Sequence, residues 1–277
     1  MKIKKSFRQR ATNLMTRNKS ITYAGAINQG MHQAMQLSKN VMVMGQLIDY
    51  SSGVFGTTVG LVDKFGQKRV RDFPVAESLM TSAGIGAAVA GKRVILVHIR
   101  IDFMMYSLDA IVNWLSLWRF KSNKESNVPL VIRAIVGRGW GQGPQHSQSL
   151  ENWSMAVPGL KVVAPSNPKD VIGLMTSAVA DPDPVIFYEH KSLYPMKEEV
   201  IDTNFTIPLG EANLLHKGND ACIISLGLMA QRSLEAAIVL KEKHNISVTV
   251  IDLRCLVPLD LQSIKREVKK SGIIFTV

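Results

Sequence analysis

The feature that most constrains the fold is a series of short apolar runs, rich in β-branched residues and separated from one another by helical patterns. The runs are VMVMG at 41–45, KRVILVHI at 92–99, VPLVIRAIV at 128–136, LKVVAPS at 160–166 and PVIFYEH at 184–190. The helical patterns cover 21–38, 60–66, 77–91, about 103–120 and 167–181. Strands that are buried on both faces have this composition, and their alternation with helices is typical of parallel βαβ units. The sequence therefore predicts an α/β fold with a doubly wound parallel sheet.

A second, smaller unit is predicted for the last third of the chain. Residues 195–210, PMKEEVIDTNFTIPLG, are polar, contain two prolines and lack a clear period, which indicates a linker. Beyond them lie further strand and helix patterns at 221–227, 229–243, 247–254, 259–270 and 272–277. We therefore predict four parts, which are a basic tail over 1–20, a first domain over 21–195, a linker over 196–210 and a partial α/β domain over 211–277.

The positive charge of the chain is concentrated in the N-terminal tail. The net charge is +11, and residues 1–20 carry seven Lys or Arg and no acid, so the remaining 257 residues carry only +4. This distribution argues against a folded nucleic-acid-binding face, which needs clustered basic residues within the domain. The tail has an amphipathic helical pattern that fits a solvated extension, an organelle transit peptide, or a segment that binds a membrane surface or an acidic partner.

Cysteine count and hydropathy exclude two further classes of protein. Cys222 and Cys255 are the only cysteines, so neither a disulfide framework nor a four-thiolate zinc site can form. No run approaches the roughly 20 apolar residues that a transmembrane helix requires. The sequence also lacks a nucleophile elbow, a Walker loop and paired histidines at metal-ligand spacing.

Two segments combine a polar side chain with a backbone suited to ligand binding. Glu77, in FPVAES, begins a helix of small residues, where the helix dipole stabilises a carboxylate; an ordinary first-turn glutamate would have the same pattern. The loop GRGWGQGPQHSQS at 137–149 follows a strand and carries His146 among hydrogen-bonding residues. Such a loop can cradle a phosphate or place a histidine for proton transfer, and a purely structural histidine is the alternative.

Taken together, these strings resemble the beta subunits of thiamine-diphosphate-dependent 2-oxoacid dehydrogenases, such as pyruvate dehydrogenase. The matching strings include AINQGM at 26–31, GVFGTTVGLVDKFGQKRVRDFPVAE at 53–77, PQHSQSLENW at 144–153, PGLKVVAPSNPKD at 158–170 and IDLRCLVPLD at 251–260. The resemblance implies a pyrimidine-binding domain followed by an incomplete transketolase C-terminal-like α/β domain. Family members continue beyond the final strand pattern, so the sequence is expected to be either a fragment or a shortened, divergent protein.

The resemblance also implies roles for individual residues. Glu77 matches the glutamate that hydrogen-bonds N1′ of the cofactor's aminopyrimidine ring, Phe103 matches the aromatic residue that stacks on this ring, and His146 matches a loop histidine that assists the substrate and acyl transfer. Leu130, Ala178, Val179, Asp181 and Asp183 match a structural monovalent-cation site, which would hold potassium. The chain lacks the Gly-Asp-Gly motif that binds the diphosphate and Mg²⁺, so an alpha subunit is expected to hold both.

Two residues depart from the family pattern near the expected cofactor. Gln46 stands where a carboxylate is usual, so it can hydrogen-bond the cofactor but cannot carry charge. Arg100 stands where an apolar residue is typical, and it is expected either to recognise an acidic substrate or to pair with Asp102.

The resemblance implies a cytoplasmic beta subunit that acts with an alpha subunit in a heterotetramer. The complex would decarboxylate a 2-oxoacid such as pyruvate oxidatively and transfer the acyl group to the lipoamide of an acyltransferase core. Three alternatives remain open, which are an acetoin- or ketose-acting enzyme of the same cofactor class, a non-catalytic partner subunit, and a mitochondrial protein whose tail is removed.

Overall fold

The computed structural model describes residues 19–139, 141–200 and 203–277. In these ranges the strands are β1 Lys19–Thr22, β2 Val41–Gly45, β3 Val70–Asp72, β4 Arg93–His98, β5 Leu130–Val136, β6 Lys161–Val163, β7 Val185–His190, β8 Lys197–Val200, β9 Asn213–His216, β10 Ala221–Ser225, β11 Val248–Asp252, β12 Cys255–Val257 and β13 Ile274–Thr276. The α-helices are α1 Tyr23–Leu37, α2 Leu61–Phe65, α3 Glu77–Val89, α4 Ile101–Met104, α5 Trp118–Lys121, α6 Glu151–Met155, α7 Pro168–Ala180, α8 Gly227–His244 and α9 Leu261–Ser271.

The main body is a seven-stranded sheet in the order β12-β6-β7-β5-β4-β2-β3. The six strands from β6 to β3 in this order are parallel, and only β12 is antiparallel. This topology confirms the predicted α/β fold with a mostly parallel sheet. Two of the predicted helices begin at side-chain caps, because the Thr22 hydroxyl accepts from Gly25 N–H and the Asn167 side chain accepts from Asp170 N–H.

Both faces of this sheet are buried, because side chains alternate between two apolar clusters along each central strand. In β4, Ile95 and Val97 enter one cluster, and Val94 and Leu96 enter the other. Helices α1 and α7 cover the first face, and α3 covers the second. The strands are therefore held in register from both sides, and their carboxyl ends lie along one fixed edge.

A second sheet, in the order β13-β10-β11-β9, forms the body of the C-terminal part. Strands β10, β11 and β13 are parallel, as the βαβ pattern predicts, and β9 adds an antiparallel edge. The next strand, β12, leaves this sheet and pairs with β6 of the main sheet. The backbone of the C-terminal part is therefore joined to the main sheet by strand hydrogen bonds.

Two segments differ from the sequence predictions. Within the predicted linker, β8 pairs in antiparallel register with β1, which includes the last two residues of the predicted tail. The helix predicted over about 103–120 is broken into α4, a 3₁₀ turn at Met105–Ser107, a π-helical segment at Ala110–Leu115 and α5. In the π-helical segment, the Ser116 N–H donates to Ile111 O at 3.0 Å, which is five residues back, not four as in an α-helix.

The amphipathic pattern predicted for the tail falls mainly on residues 1–18, which lie outside the described residues. Among the helices that are described, none has the length and apolar content needed to cross a membrane.

Candidate active site

The candidate site lies at the carboxyl edge of four neighbouring parallel strands. The segment after β3 leads to Glu77, Gln46 follows β2, the segment after β4 carries Phe103, and the loop after β5 carries His146. Because β5, β4, β2 and β3 are adjacent in the sheet, these four side chains converge although they are up to 100 residues apart in the sequence. Ligands of open α/β sheets bind at this edge.

These residues line one open cavity of about 690 Å³. Its other lining residues are Leu47, Phe55, Val75, Ile99, Arg100, Tyr106 and Gln142. The lining is mostly apolar with a few polar groups, which is the usual composition of a small-molecule site. The four residues that the sequence analysis assigned to catalysis or cofactor binding are therefore brought together in one cavity.

Glu77 is the first residue of α3, at the floor of the cavity, and only 8% of its surface is exposed. No side-chain hydrogen bond caps this helix start. The positive end of the helix dipole lies at this residue. A carboxylate is thus held in a largely apolar cavity, where it can accept a hydrogen bond from a ligand.

Phe103 and His146 form an aromatic pair at the cavity wall. Their ring centroids are 5.1 Å apart and their planes meet at 75°, an edge-to-face arrangement. Phe103 is held by the short helix α4, and His146 ends the 3₁₀ turn Pro144–His146 of the loop after β5. The structure therefore places the predicted ring-stacking residue next to the predicted loop histidine.

Gln46 is buried beneath the cavity, with 3% of its surface exposed. Its Nε2 atom has no hydrogen-bond partner among the described residues. Gly45 brings the chain close to β4 here, because a Cβ atom at this position would lie 2.7 Å from Val97 Cβ. A buried amide without a partner is costly in a folded protein, so this N–H group is available to a bound ligand.

Burial lowers the pKa of two histidines beside the site. Burial lowers the pKa of His98 to about 3, and its Nε2 lies 3.0 Å from the Thr81 hydroxyl. Burial, followed by the charge of Arg100, lowers the pKa of His190 to about 4. Neither lines this cavity, whereas His146 does, so His146 is the imidazole placed for proton transfer.

Cationic side chains of the chain itself contact three of the residues predicted to form the monovalent-cation site. Arg93 donates to Val179 O at 2.6 Å and to Asp181 O at 3.0 Å. Lys161 Nζ lies 2.6 Å from an Asp181 carboxylate oxygen and 3.4 Å from Asp183, which also pairs with Arg119. The potassium site stays a prediction, because the carbonyl oxygens of Val179 and Asp181 each keep a second lone pair, although Arg93 already donates to both.

The described part of the chain contains no group of three or more His, Cys, Asp or Glu side chains that could hold a metal ion.

The sequence analysis missed two exposed side chains at the cavity rim. Val75 is 77% exposed and Tyr106 is 74% exposed, and both line the cavity. Tyr106 stands three residues after Phe103, a spacing that places both on one side of a helical turn. That spacing is the signal that would have identified it.

Comparison with known proteins places the chain among enzymes with this architecture. The family model for the transketolase pyrimidine-binding domain matches residues 19–197, and the model for the transketolase C-terminal domain matches residues 210–277. Solved structures with this fold include a split-gene transketolase described as an inactive beta4 tetramer, with a TM-score of 0.76 at 21% identity over 93% of this chain and 79% of that one. A mutant transketolase from Pichia stipitis gives a TM-score of 0.69 at 17% identity over 98% of this chain and 42% of that one.

Curated relatives are considerably more similar in sequence. The chain is 41% identical to the beta subunit of acetoin:2,6-dichlorophenolindophenol oxidoreductase from Cupriavidus necator, over 91% of this chain and 77% of the relative. It is 40% identical to the 2-oxoisovalerate dehydrogenase subunit beta of Bacillus subtilis, over 93% and 79%. It is 37% identical to a mitochondrial pyruvate dehydrogenase E1 component subunit beta-1 of Arabidopsis thaliana, over 94% and 72%.

Proposed function

Because the chain belongs to the family of beta subunits of thiamine-diphosphate-dependent 2-oxoacid dehydrogenases, we propose that its cavity binds the aminopyrimidine half of thiamine diphosphate. The observation that carries this proposal is the convergence of Glu77, Gln46, Phe103 and His146 in one cavity at the carboxyl edge of the sheet. An alpha subunit would complete the site by holding the diphosphate and Mg²⁺.

The side chains of the cavity fit this ring. An aminopyrimidine presents ring nitrogens, an amino group and two aromatic faces, and the cavity offers the Glu77 carboxylate, the unpartnered Gln46 amide and the Phe103 ring. The carboxylate of Glu77 would hold a proton at N1′, Gln46 Nε2 would donate to an acceptor atom of the ring, and Phe103 would orient the ring by stacking. The bound cofactor supplies an electron sink for breaking the bond next to a keto carbonyl.

His146 would act on the substrate, opposite the residues that hold the cofactor. Its loop forms one wall of the cavity, and contact with Phe103 sets the tilt of its ring. From this position the imidazole would move a proton at the reacting oxygen of the substrate and assist acyl transfer to lipoamide. General acid–base groups of this kind contribute about 10²- to 10⁴-fold to rates.

We propose a 2-oxoacid as the substrate and an alpha₂beta₂ heterotetramer as the active assembly, with a lipoyl acyltransferase as the acyl acceptor. Acetoin is the second candidate substrate, because the relative from Cupriavidus necator is named as an acetoin oxidoreductase subunit at 41% identity. A cytoplasmic location belongs to the same proposal; several plant relatives are named as mitochondrial proteins, and a transit peptide would fall within the undescribed residues 1–18.

The test is co-expression of this chain with the alpha-like subunit encoded nearest to it, followed by an assay with an artificial electron acceptor. Pyruvate, 2-oxoisovalerate, acetoin and a ketose phosphate are compared with and without thiamine diphosphate. Cofactor-dependent turnover of a 2-oxoacid is the expected result. Turnover of acetoin alone would select the second candidate, and a stable complex without any turnover would favour a non-catalytic subunit.

A further inference from the structure

We propose that Arg100 is a positioning residue that sets His146 and Phe103 by joining the base of the His146 loop to the segment that carries Phe103. The proposal rests on the function proposed above for His146. Arg100 is fully buried and ion-paired with Asp102, so its guanidinium is held within the protein beside the cavity.

The first contact joins Arg100 to the start of the loop. One terminal nitrogen of the guanidinium donates to Gly137 O at 2.9 Å, directly after β5. Gly137 has a φ of +77°, and a Cβ atom there would overlap the His190 ring. Only glycine fits such a position, so the loop must leave the sheet along this path, with its first carbonyl directed at Arg100.

The second contact joins Arg100, through Asp102, to the end of the loop. Arg100 Nε donates to Asp102 Oδ2 at 3.0 Å, and the Asp102 side chain is only 3% exposed. The other oxygen of Asp102 accepts from the Gln148 N–H at 3.2 Å. Gly137 N–H in turn donates to Gln148 O at 2.9 Å, which closes the base of the loop. One guanidinium thus acts on both ends of the loop.

These contacts position the aromatic pair, because each ring belongs to a residue close in sequence to one that Arg100 or Asp102 holds. His146 lies two residues before Gln148, and Phe103 lies next to Asp102. Arg100 O also accepts from the Phe103 and Met104 N–H groups, at 3.3 and 3.1 Å, so the same residue begins the helix that carries Phe103. Displacing a reacting group by about 1 Å can cost about 100-fold in rate. Loss of the Arg100 contacts should therefore lower turnover.

The test uses variants that separate positioning from an unpaired buried charge. In the double variant R100M/D102N, the asparagine still offers its oxygen to Gln148 N–H, and no buried carboxylate is left alone. The variant is studied in the complex with the alpha subunit, and backbone hydrogen exchange of residues 137–148 is measured together with kcat and KM. We expect at least about 10-fold faster exchange in the loop, about 100-fold lower kcat and little change in KM.

A second comparison asks whether Arg100 acts through His146. If it does, R100M/D102N should lower kcat far less in a His146→Ala background than in the wild-type background. A matched control is Arg254→Met, which removes a different part-buried guanidinium, paired with Asp170 and remote from the cavity. It should leave loop exchange and kcat unchanged. If the double variant does not fold, it is replaced by Arg100→Lys. Lysine keeps the charge but has only one nitrogen to reach both Gly137 O and Asp102.

Unchanged loop exchange and unchanged kcat in R100M/D102N, or in Arg100→Lys where that variant replaces it, would overturn the proposal. So would an equal loss of kcat in the His146→Ala background. If the wild-type complex shows no cofactor-dependent turnover, the proposed function fails, but hydrogen exchange still decides whether Arg100 holds the loop.

Discussion

The cavity and the junction between the two domains both bury polar groups, but they treat these groups differently. At the junction, Arg254 donates to both oxygens of Asp170, at 2.7 and 2.5 Å, and Ser166 donates to Asp252 at 2.5 Å. In the cavity, the Nε2 atom of Gln46 has no hydrogen-bond partner in the described part of the chain. Because nearly all buried polar groups in folded proteins are paired, an unpaired one that lines a cavity indicates a contact point for a ligand.

This difference separates polar residues that stabilise the fold from those that are kept for a ligand. Variants at the junction should change the free energy of unfolding and leave catalysis intact. Variants in the cavity should change cofactor binding or turnover and leave stability nearly intact, or even raise it.

The largest effect is expected for Glu77→Gln in the cavity. The amide cannot hold a proton between itself and N1′ as a carboxylate does, so turnover of the complex should fall about 10³-fold. The free energy of unfolding should change by less than about 1 kcal/mol, because only the helix-dipole interaction is lost. Turnover is measured by the electron-acceptor assay and stability by urea unfolding. Full retention of activity would show that the cavity is not the cofactor site.

The next largest effect is expected for Arg254→Met at the junction. This change leaves Asp170, whose side chain is 1% exposed, without its guanidinium. Breaking a buried ion pair in this way costs about 3 kcal/mol. Urea unfolding should report this loss, while kcat/KM of the folded complex stays at the wild-type value. A drop in kcat/KM without loss of stability would erase the distinction between the two regions.

A smaller effect is expected for Gln46→Leu, which should stabilise the fold but weaken cofactor binding. Removing an unpartnered buried amide should raise the free energy of unfolding by about 1 kcal/mol. It should also weaken thiamine diphosphate binding about 10-fold, because one hydrogen bond to the ring is lost.

Gln33→Leu is the matched control for that variant. Gln33 is also a buried amide, and its Oε1 atom has no partner in the described ranges, but it does not line the cavity. Cofactor affinity, measured by calorimetry, should therefore be unchanged in Gln33→Leu. Equal weakening in both variants would contradict a specific role for Gln46.

The last effect is a pH dependence that Asp252 gives to the junction. Burial raises the pKa of this carboxyl to about 7, well above the value of about 3.9 in an unfolded chain. The unfolded chain therefore releases this proton first, and stability falls as the pH rises from about 4 to about 7. Asp252→Asn should remove this component of the slope in urea unfolding between pH 4 and 7. Parallel curves for the variant and wild type would contradict the raised pKa.

Local signals in the sequence were sufficient for most of the fold, whereas the residues of the candidate site were assigned through the family resemblance. The caps at Thr22 and Asn167 and the apolar runs of the parallel strands depend on neighbouring residues, so they can be read from short windows. The position of Glu77, Phe103 and His146 at one sheet edge follows from the strand order together with the family resemblance.

What the sequence did not predict depends on contacts between distant segments. The pairing of β1 with β8 joins residues nearly 180 positions apart, and β12 reaches across from the C-terminal part to β6. The contact of Arg100 with Gly137 O likewise needs the loop after β5 to lie beside the segment after β4. No local pattern predicts these pairings, because the sequence around each partner does not differ from that of other strands and loops.

The central claim is that Glu77 activates thiamine diphosphate in the assembled complex, and it can be tested without knowing the substrate. The measurement is the rate at which the C2 hydrogen of bound thiamine diphosphate exchanges with deuterium, followed by NMR after rapid quenching. The wild-type complex should accelerate this exchange over the free cofactor, and Glu77→Gln should slow it at least about 100-fold. Equal exchange rates in the two complexes, with the cofactor bound in both, would contradict the claim.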